Sequence, residues 1–135
     1  MRQRTWVAGL AVLALSDPAT SEEFNRGQFE HYCEGNPVTG QQVIRCLAGQ
    51  DRKAGEMLTA KYRKLAAGLN RPGIDTLKES QQAWLAYQKT SCRFLAMRVG
   101  QVENADVSQM EQARCLLKST LDRMEELDRL LLSDR

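Results

Sequence analysis

Few residues in this chain could do chemistry. Four cysteines, Cys33, Cys46, Cys92 and Cys115, stand at gaps of 13, 46 and 23 positions, and the single histidine, His31, lies beside the first of them. Zinc sites are built from close ligand pairs such as C-x2-C and commonly recruit imidazole. These gaps do not supply such a pair, so no metal is expected. An even number of cysteines in an exported chain reads instead as two disulfides. Carboxylates gather at Asp122, Glu125, Glu126 and Asp128. They read as a solvated helix face balanced by Arg123 and Arg129, although such a patch could also meet a cationic partner. Paired carboxylates that hydrolyse a glycosidic bond need a cleft between them, which a thin helical bundle rarely provides. No G-x-S-x-G, H-E-x-x-H or P-loop pattern occurs. The chain therefore reads as a non-enzyme, with no catalytic residue and no cofactor.

The disulfide reading depends on export, and the N-terminus supplies the signal for it. Arg2 and Arg4 precede an apolar run from Trp6 to Leu15, and Ala14-Leu15-Ser16 offers small residues at the −3 and −1 positions of a cleavage site. This is the pattern of a secretory signal peptide, expected over residues 1–19. The run falls well short of the about 20 apolar residues of a membrane span, and no cysteine follows it for lipid attachment, so no stable membrane anchor is expected. The mature protein is expected in the periplasm or outside the cell. Cleavage after Ser16 removes two of the 19 basic residues and none of the 17 acidic ones. The mature chain is then neutral, which excludes the electrostatic footprint of a nucleic-acid binder.

The elements that must position the cysteines are helices. At 135 residues, 42% apolar and 27% charged, the chain fits one globular domain with a modest core. Thr39-x-x-Gln42 forms a capping box, followed by Val43, Leu47, Ala54, Leu58, Tyr62, Leu65 and Leu69 at helical spacing. A second capping box, Thr76-x-x-Glu79, opens a stripe of Leu77, Gln81, Trp84, Gln88, Cys92, Leu95 and Val99, which Gly100 closes. A third stripe runs through Met110, Ala113, Leu117, Leu121, Met124, Leu127 and Leu131. No strand signal competes. The fold expected is all-α, an antiparallel bundle of three main helices at about 39–69, 76–99 and 108–132. Residues 20–38 are expected to form a flexible lead with at most one short helix, around Glu22 to His31, ahead of a helical domain over 39–135. Antiparallel neighbours would set Cys92 and Cys115 at similar height across the turn near residues 100–108, and a chain folding back along the first helix would bring Cys33, six residues before the first cap, to Cys46, seven after it. The pairing 33–46 with 92–115 fits best among three alternatives, each bridge contributing about 3 kcal/mol.

The order Leu77-Lys78, Gln81, Trp84-Leu85, Tyr87, Cys92, followed by Cys115-x4-Thr120-x2-Arg123-x3-Leu127, resembles the LprI-type lysozyme inhibitor N-terminal domain. Leu58 and Tyr62 stand in the expected place on the first helix, and the resemblance runs from about Cys33 to Leu132. Two departures are visible. Gly55 and Thr59 replace the Asp and Asn of a D-x-x-L-N-x-x-Y pattern, and Gln88-Lys89 replaces an Arg-Asp pair. The resemblance implies a small exported helical domain that, in at least one branch of the family, binds and inhibits lysozyme. The motif residues Tyr62, Gln81, Trp84, Thr120 and Arg123 read as a polar-edged core rather than a binding constellation, and Tyr87 reads as a structural motif residue. An inward Arg123 would need partners such as Glu79, Asp122 or Glu126 to offset its desolvation. His31 reads as an exposed residue of the lead.

Two functions follow from different classes. One is an exported binding module that inhibits lysozyme-like cell-wall hydrolases through a protein–protein contact. The alternative is a structural or stress-related periplasmic protein whose protein partner is not inhibited. For the first, the turn from Gln101 to Val107 offers Glu103 and Asp106 as partner-binding candidates, an acidic rim suited to a cationic enzyme. Oligomeric state is left open by the sequence.

Overall fold

Helix α4, Ala105–Ser133, is the spine on which everything else rests. Leu117, Leu121, Met124 and Leu127 recur every three or four residues along it, and all four are buried, the last three completely. That stripe faces α2, Gly40–Ala67, whose Leu47, Ala54, Leu58 and Leu65 form the opposing buried row. Helix α3, Arg71–Gly100, packs on a neighbouring face of α4, and α2 and α3 scarcely touch each other. A short helix α1, Arg26–His31, completes the all-α bundle. The computed structural model describes residues 24–35 and 39–133, and no strand occurs among them. The signal peptide expected at residues 1–19 lies outside the described residues.

Each helix starts where its local chemistry satisfies the free N–H groups of the first turn. At α2 the capping box is complete. The Gln42 N–H donates to Thr39 Oγ1 at 3.2 Å, and the Thr39 N–H donates to Gln42 Oε1 at 3.0 Å. Helix α3 begins five residues ahead of the expected 76. Asn70 is its cap, with Oδ1 accepting from the Gly73 N–H at 3.0 Å. Pro72 then sits in the first turn, where its missing N–H would be unpaired anyway. Thr76 is no cap: its hydroxyl donates back to the Pro72 carbonyl within the helix. Helix α4 likewise starts three residues before the expected 108, because Asn104 Oδ1 caps the Val107 N–H at 3.0 Å. The intended opener, Ser108, reaches across the turn instead and donates to the Ala96 carbonyl at 2.7 Å.

The stretch expected to hold at most one short helix contains α1, which is anchored to the bundle by Phe29 and Cys33. Phe29 is buried against the core, with Phe24 beside it at a ring separation of 6.0 Å. Lys53 and Lys61 of α2 lie over these two rings. Arg26 bonds to Asp122 and Glu125 of α4, and a disulfide joins Cys33 to Cys46, with the Cα atoms 5.8 Å apart. A second disulfide joins Cys92 of α3 to Cys115 of α4 at a Cα separation of 5.5 Å. Phe24 and Phe29 are two of only three phenylalanines in the chain, and both pack against the α2–α4 core.

Gly55 interrupts α2 in its middle, and a Cβ built there meets nothing within 4 Å. Glycine in a helix interior costs about 1 kcal/mol relative to alanine. Gly55→Ala is therefore expected to raise stability by about 0.5–1 kcal/mol, read as a shift of the urea midpoint at unchanged m-value.

Candidate functional site

Because α2 and α3 both lean on α4 and scarcely touch each other, a cleft of ≈ 430 Å³ opens between them with α4 as its floor. Four of the six motif residues line it: Tyr62 from α2, Gln81 and Trp84 from α3, and Thr120 from α4. Asp51 completes its wall. It lies four residues after Leu47 and three before Ala54, on the buried stripe of α2.

A hydrogen-bond relay crosses the cleft floor and joins all three long helices. Gln88 Nε2 of α3 donates to Thr120 Oγ1 at 3.0 Å and to the Leu116 carbonyl at 3.0 Å. The Thr120 hydroxyl in turn donates to Asp51 Oδ1 at 2.7 Å. Gln88 and Thr120 are both buried, so each bond satisfies a group that would otherwise be desolvated without a partner. Burial pushes the Asp51 carboxyl up from its ordinary range, against the opposing effect of the bond from Thr120. The sign is that of a group raised on folding: its stabilising effect is full below the unfolded carboxylate pKa and is lost as pH rises through the folded one. Asp51→Asn is accordingly expected to stabilise the protein at pH 7, with the gain disappearing as pH falls below the ordinary carboxylate range. Paired thermal melts at pH 3 and pH 7 read this directly.

Arg123 stands behind the aromatic wall. Its guanidinium lies 6.0 Å from the Trp84 ring, and its Nη1 donates to Glu126 at 2.8 Å, its Nη2 to Ser80 Oγ at 3.0 Å and its Nε to Gln81 Oε1 at 3.3 Å. Of the three acids available to it in sequence, Glu126 is the one used. A buried guanidinium with three hydrogen-bonding partners and an aromatic face is compensated rather than free. Its role here is to hold α3 at a fixed height along α4.

Tyr87 departs from the other motif residues. It is 69% exposed and lies outside the α2–α3 cleft. One residue along a helix is a rotation of about 100°, so the neighbour of buried Gln88 turns outward. Leu95 and Leu69, placed on inner stripes by spacing, are also partly exposed at their helices' outer margins. The acidic patch is balanced by Arg123, as expected, and otherwise by Arg26, Lys61 and Lys118 in place of Arg129. Asp122 bonds to Arg26 and Lys118, Glu125 to Arg26, Glu126 to Arg123 and Asp128 to Lys61, while Arg129 takes no part. Burial would raise the Asp122 carboxyl, yet its bonds to Lys118 and Arg26 outweigh that and hold it below the usual range. The His31 ring is exposed and bonds to Glu34 at 2.8 Å, which raises its pKa.

A larger cleft of ≈ 530 Å³ lies on the other side of α3, floored by the Cys92–Cys115 disulfide with Leu47 and Leu117. Its rim carries Glu30, Glu34, Glu111 and Asp122 against Arg114 and Lys118. At the end of the bundle, Glu103 on the α3–α4 turn and Asp106 in the first turn of α4 are both exposed. Asp106 accepts from Gln41 Nε2 at 2.8 Å, which ties the turn to the start of α2. Among the described residues no cluster of histidine, cysteine and carboxylate side chains could hold a metal, and no helix is long and apolar enough to cross a membrane.

The family model of the lysozyme inhibitor LprI matches residues 33–127, most of the chain. The chain belongs to the LprI lysozyme inhibitor family. Neither the curated proteins nor the solved structures contain a match to it. The matched span begins at the cysteine that ties α1 to α2 and ends at Leu127, the last fully buried residue of α4. Within this LprI chain, Gly55 and Thr59 both line the α2–α3 cleft. Of the pair Gln88-Lys89, Gln88 is the donor of the relay beneath it.

Proposed function

We propose that this LprI protein is an exported binding module that inhibits a lysozyme-like cell-wall hydrolase by covering its substrate cleft. The observation that carries this reading is the family match over residues 33–127. Two disulfides in so small a helical domain suit a periplasmic or extracellular setting, where thiols are oxidised. An inhibitor of this kind performs no reaction. It presents a rigid surface, and its decisive contacts can sit on a turn or helix end held by a braced scaffold.

The turn bearing Glu103 and Asp106 meets those requirements. It is exposed and acidic, and it is fixed by the Asn104 cap, the Ser108 bond and the Gln41–Asp106 bond. An acidic rim accelerates encounter with a cationic hydrolase, and the advantage is screened by salt. Glu103→Lys with Asp106→Lys is expected to slow association severalfold at low ionic strength. The two proteins should converge toward about 1 M salt, where the Debye length is about 3 Å. Stopped-flow inhibition of muramidase activity, with circular dichroism as the folding control, reads the effect. An unchanged rate at low salt would remove this turn from the contact surface.

A further inference from the structure

Helix α3 touches little besides α4, so half of its circumference is left without a partner. On that outer half, Ala83, Tyr87, Thr90, Phe94 and Met97 follow at steps of four, three, four and three positions. This is the spacing of a seam that packs against another helix, about 21 Å long at 1.5 Å per residue. It lies opposite the buried row of Gln88, Cys92 and Ala96. Its three large members are well exposed: Tyr87 at 69%, Phe94 at 62% and Met97 at 60%. Apolar side chains of this size aligned on one exposed helix face mark an interaction surface, whereas scattered ones do not.

The charges beside the seam indicate what fits it. Between Ser80 and Gly100 there is no Asp or Glu, and the charged residues are Lys89, Arg93 and Arg98. None of the three makes an ion pair among the described residues. Arg93 precedes Phe94 on one flank of the seam, and Arg98 follows Met97 on the other. A second copy of α3, in either orientation, would set arginine against arginine across these flanks, which is unfavourable. A partner helix carrying carboxylates at its flanking positions would be paired at both. We infer that the outer face of α3 is a docking surface for an amphipathic helix of a partner protein with an apolar seam and acidic flanks.

This surface differs in sign from the acidic turn assigned to a cationic hydrolase, so it would engage a different partner and leave that turn free. The complementary charge would set both register and choice of partner, since flanking pairs in two-helix contacts act chiefly through specificity.

The test uses two synthetic three-heptad helices that share a leucine seam, one flanked by glutamate and the other by lysine. Fluorescence anisotropy against the full chain should show saturable binding of the glutamate-flanked helix and at least about tenfold weaker binding of the lysine-flanked one. Phe94→Asp with Met97→Asp, both exposed and so neutral for folding, should weaken the glutamate-flanked complex by about tenfold or more. Arg93→Glu with Arg98→Glu should reverse the preference between the two helices, an outcome that general stickiness would not produce. Equal binding of both helices, or binding unaffected by the Phe94 and Met97 changes, would overturn the proposal. So would a dimer in sedimentation equilibrium that Phe94→Asp dissolves, or binding to phosphatidylglycerol vesicles with none to the glutamate-flanked helix.

Discussion

Replacing Leu121 by alanine is expected to cost the fold about 3–5 kcal/mol, the upper range for truncating a buried leucine. Leu121 has no exposed surface, and its neighbours along the seam, Met124 and Leu127, have none either. They come from the middle of α4, the one helix that both α2 and α3 pack against. A void there is walled by two separate interfaces and cannot collapse without moving one of them, so the cavity cost adds to the lost transfer free energy. Leu130 supplies the control. It lies on the same helix but is 48% exposed, and Leu130→Ala should stay within about 0.5 kcal/mol of the parent. Guanidinium unfolding of the two variants measures the difference. Equal losses would mean that α4 is not the spine of the bundle.

Removing the Cys92–Cys115 bridge is the second large effect. The bridge closes a loop of 23 positions, and the chain-entropy model assigns such a crosslink about 3 kcal/mol. The structure adds a reason for this bridge to matter more than the other. Helix α3 is held by α4 almost alone, and Cys92 is itself buried, so replacing both cysteines with alanine loses packing as well as the crosslink. The Cys33–Cys46 bridge spans 13 positions and retains α1, whose loss leaves the α2–α4 seam in place. Cys92→Ala with Cys115→Ala is therefore expected to lower global stability by about 3 kcal/mol or more. Cys33→Ala with Cys46→Ala should chiefly speed amide exchange in α1. Hydrogen exchange separates the two outcomes.

The parts of this fold that were legible in the sequence are those where a single local rule decides. Thr39 and Gln42 satisfy each other, and the α4 stripe repeats without interruption, so both elements could be placed from spacing. The start of α3 was hidden because Asn70 and Pro72 look like chain breakers. Whether such residues end a helix or cap the next one depends on the backbone between them, and the Thr76 to Glu79 spacing imitated the missing signal. Tyr87 shows that membership of a motif does not fix a side chain's direction, since a rotation of one residue separates it from buried Gln88. Asp51 went unread although its signal was present, a carboxylate at the fourth position after Leu47 on an apolar stripe. Its partners, Gln88 and Thr120, come from two other helices, and only the fold brings them together. The Arg26 and Lys61 bonds to the acids of α4 are hidden from sequence for the same reason, as both cross between helices far apart in the chain.

These observations describe a helical scaffold braced by two disulfides, with an acidic turn at one end. The most direct measurement of its function is a titration of chicken-type, goose-type and invertebrate-type lysozymes with the protein, followed by muramidase activity and by calorimetry. Inhibition of a lysozyme-like hydrolase predicts that at least one enzyme loses activity at a one-to-one stoichiometry, with a matching heat of binding. If all three remain fully active at micromolar protein and no heat is detected, the inhibitor reading is contradicted, and a structural role with a partner that is not inhibited takes its place.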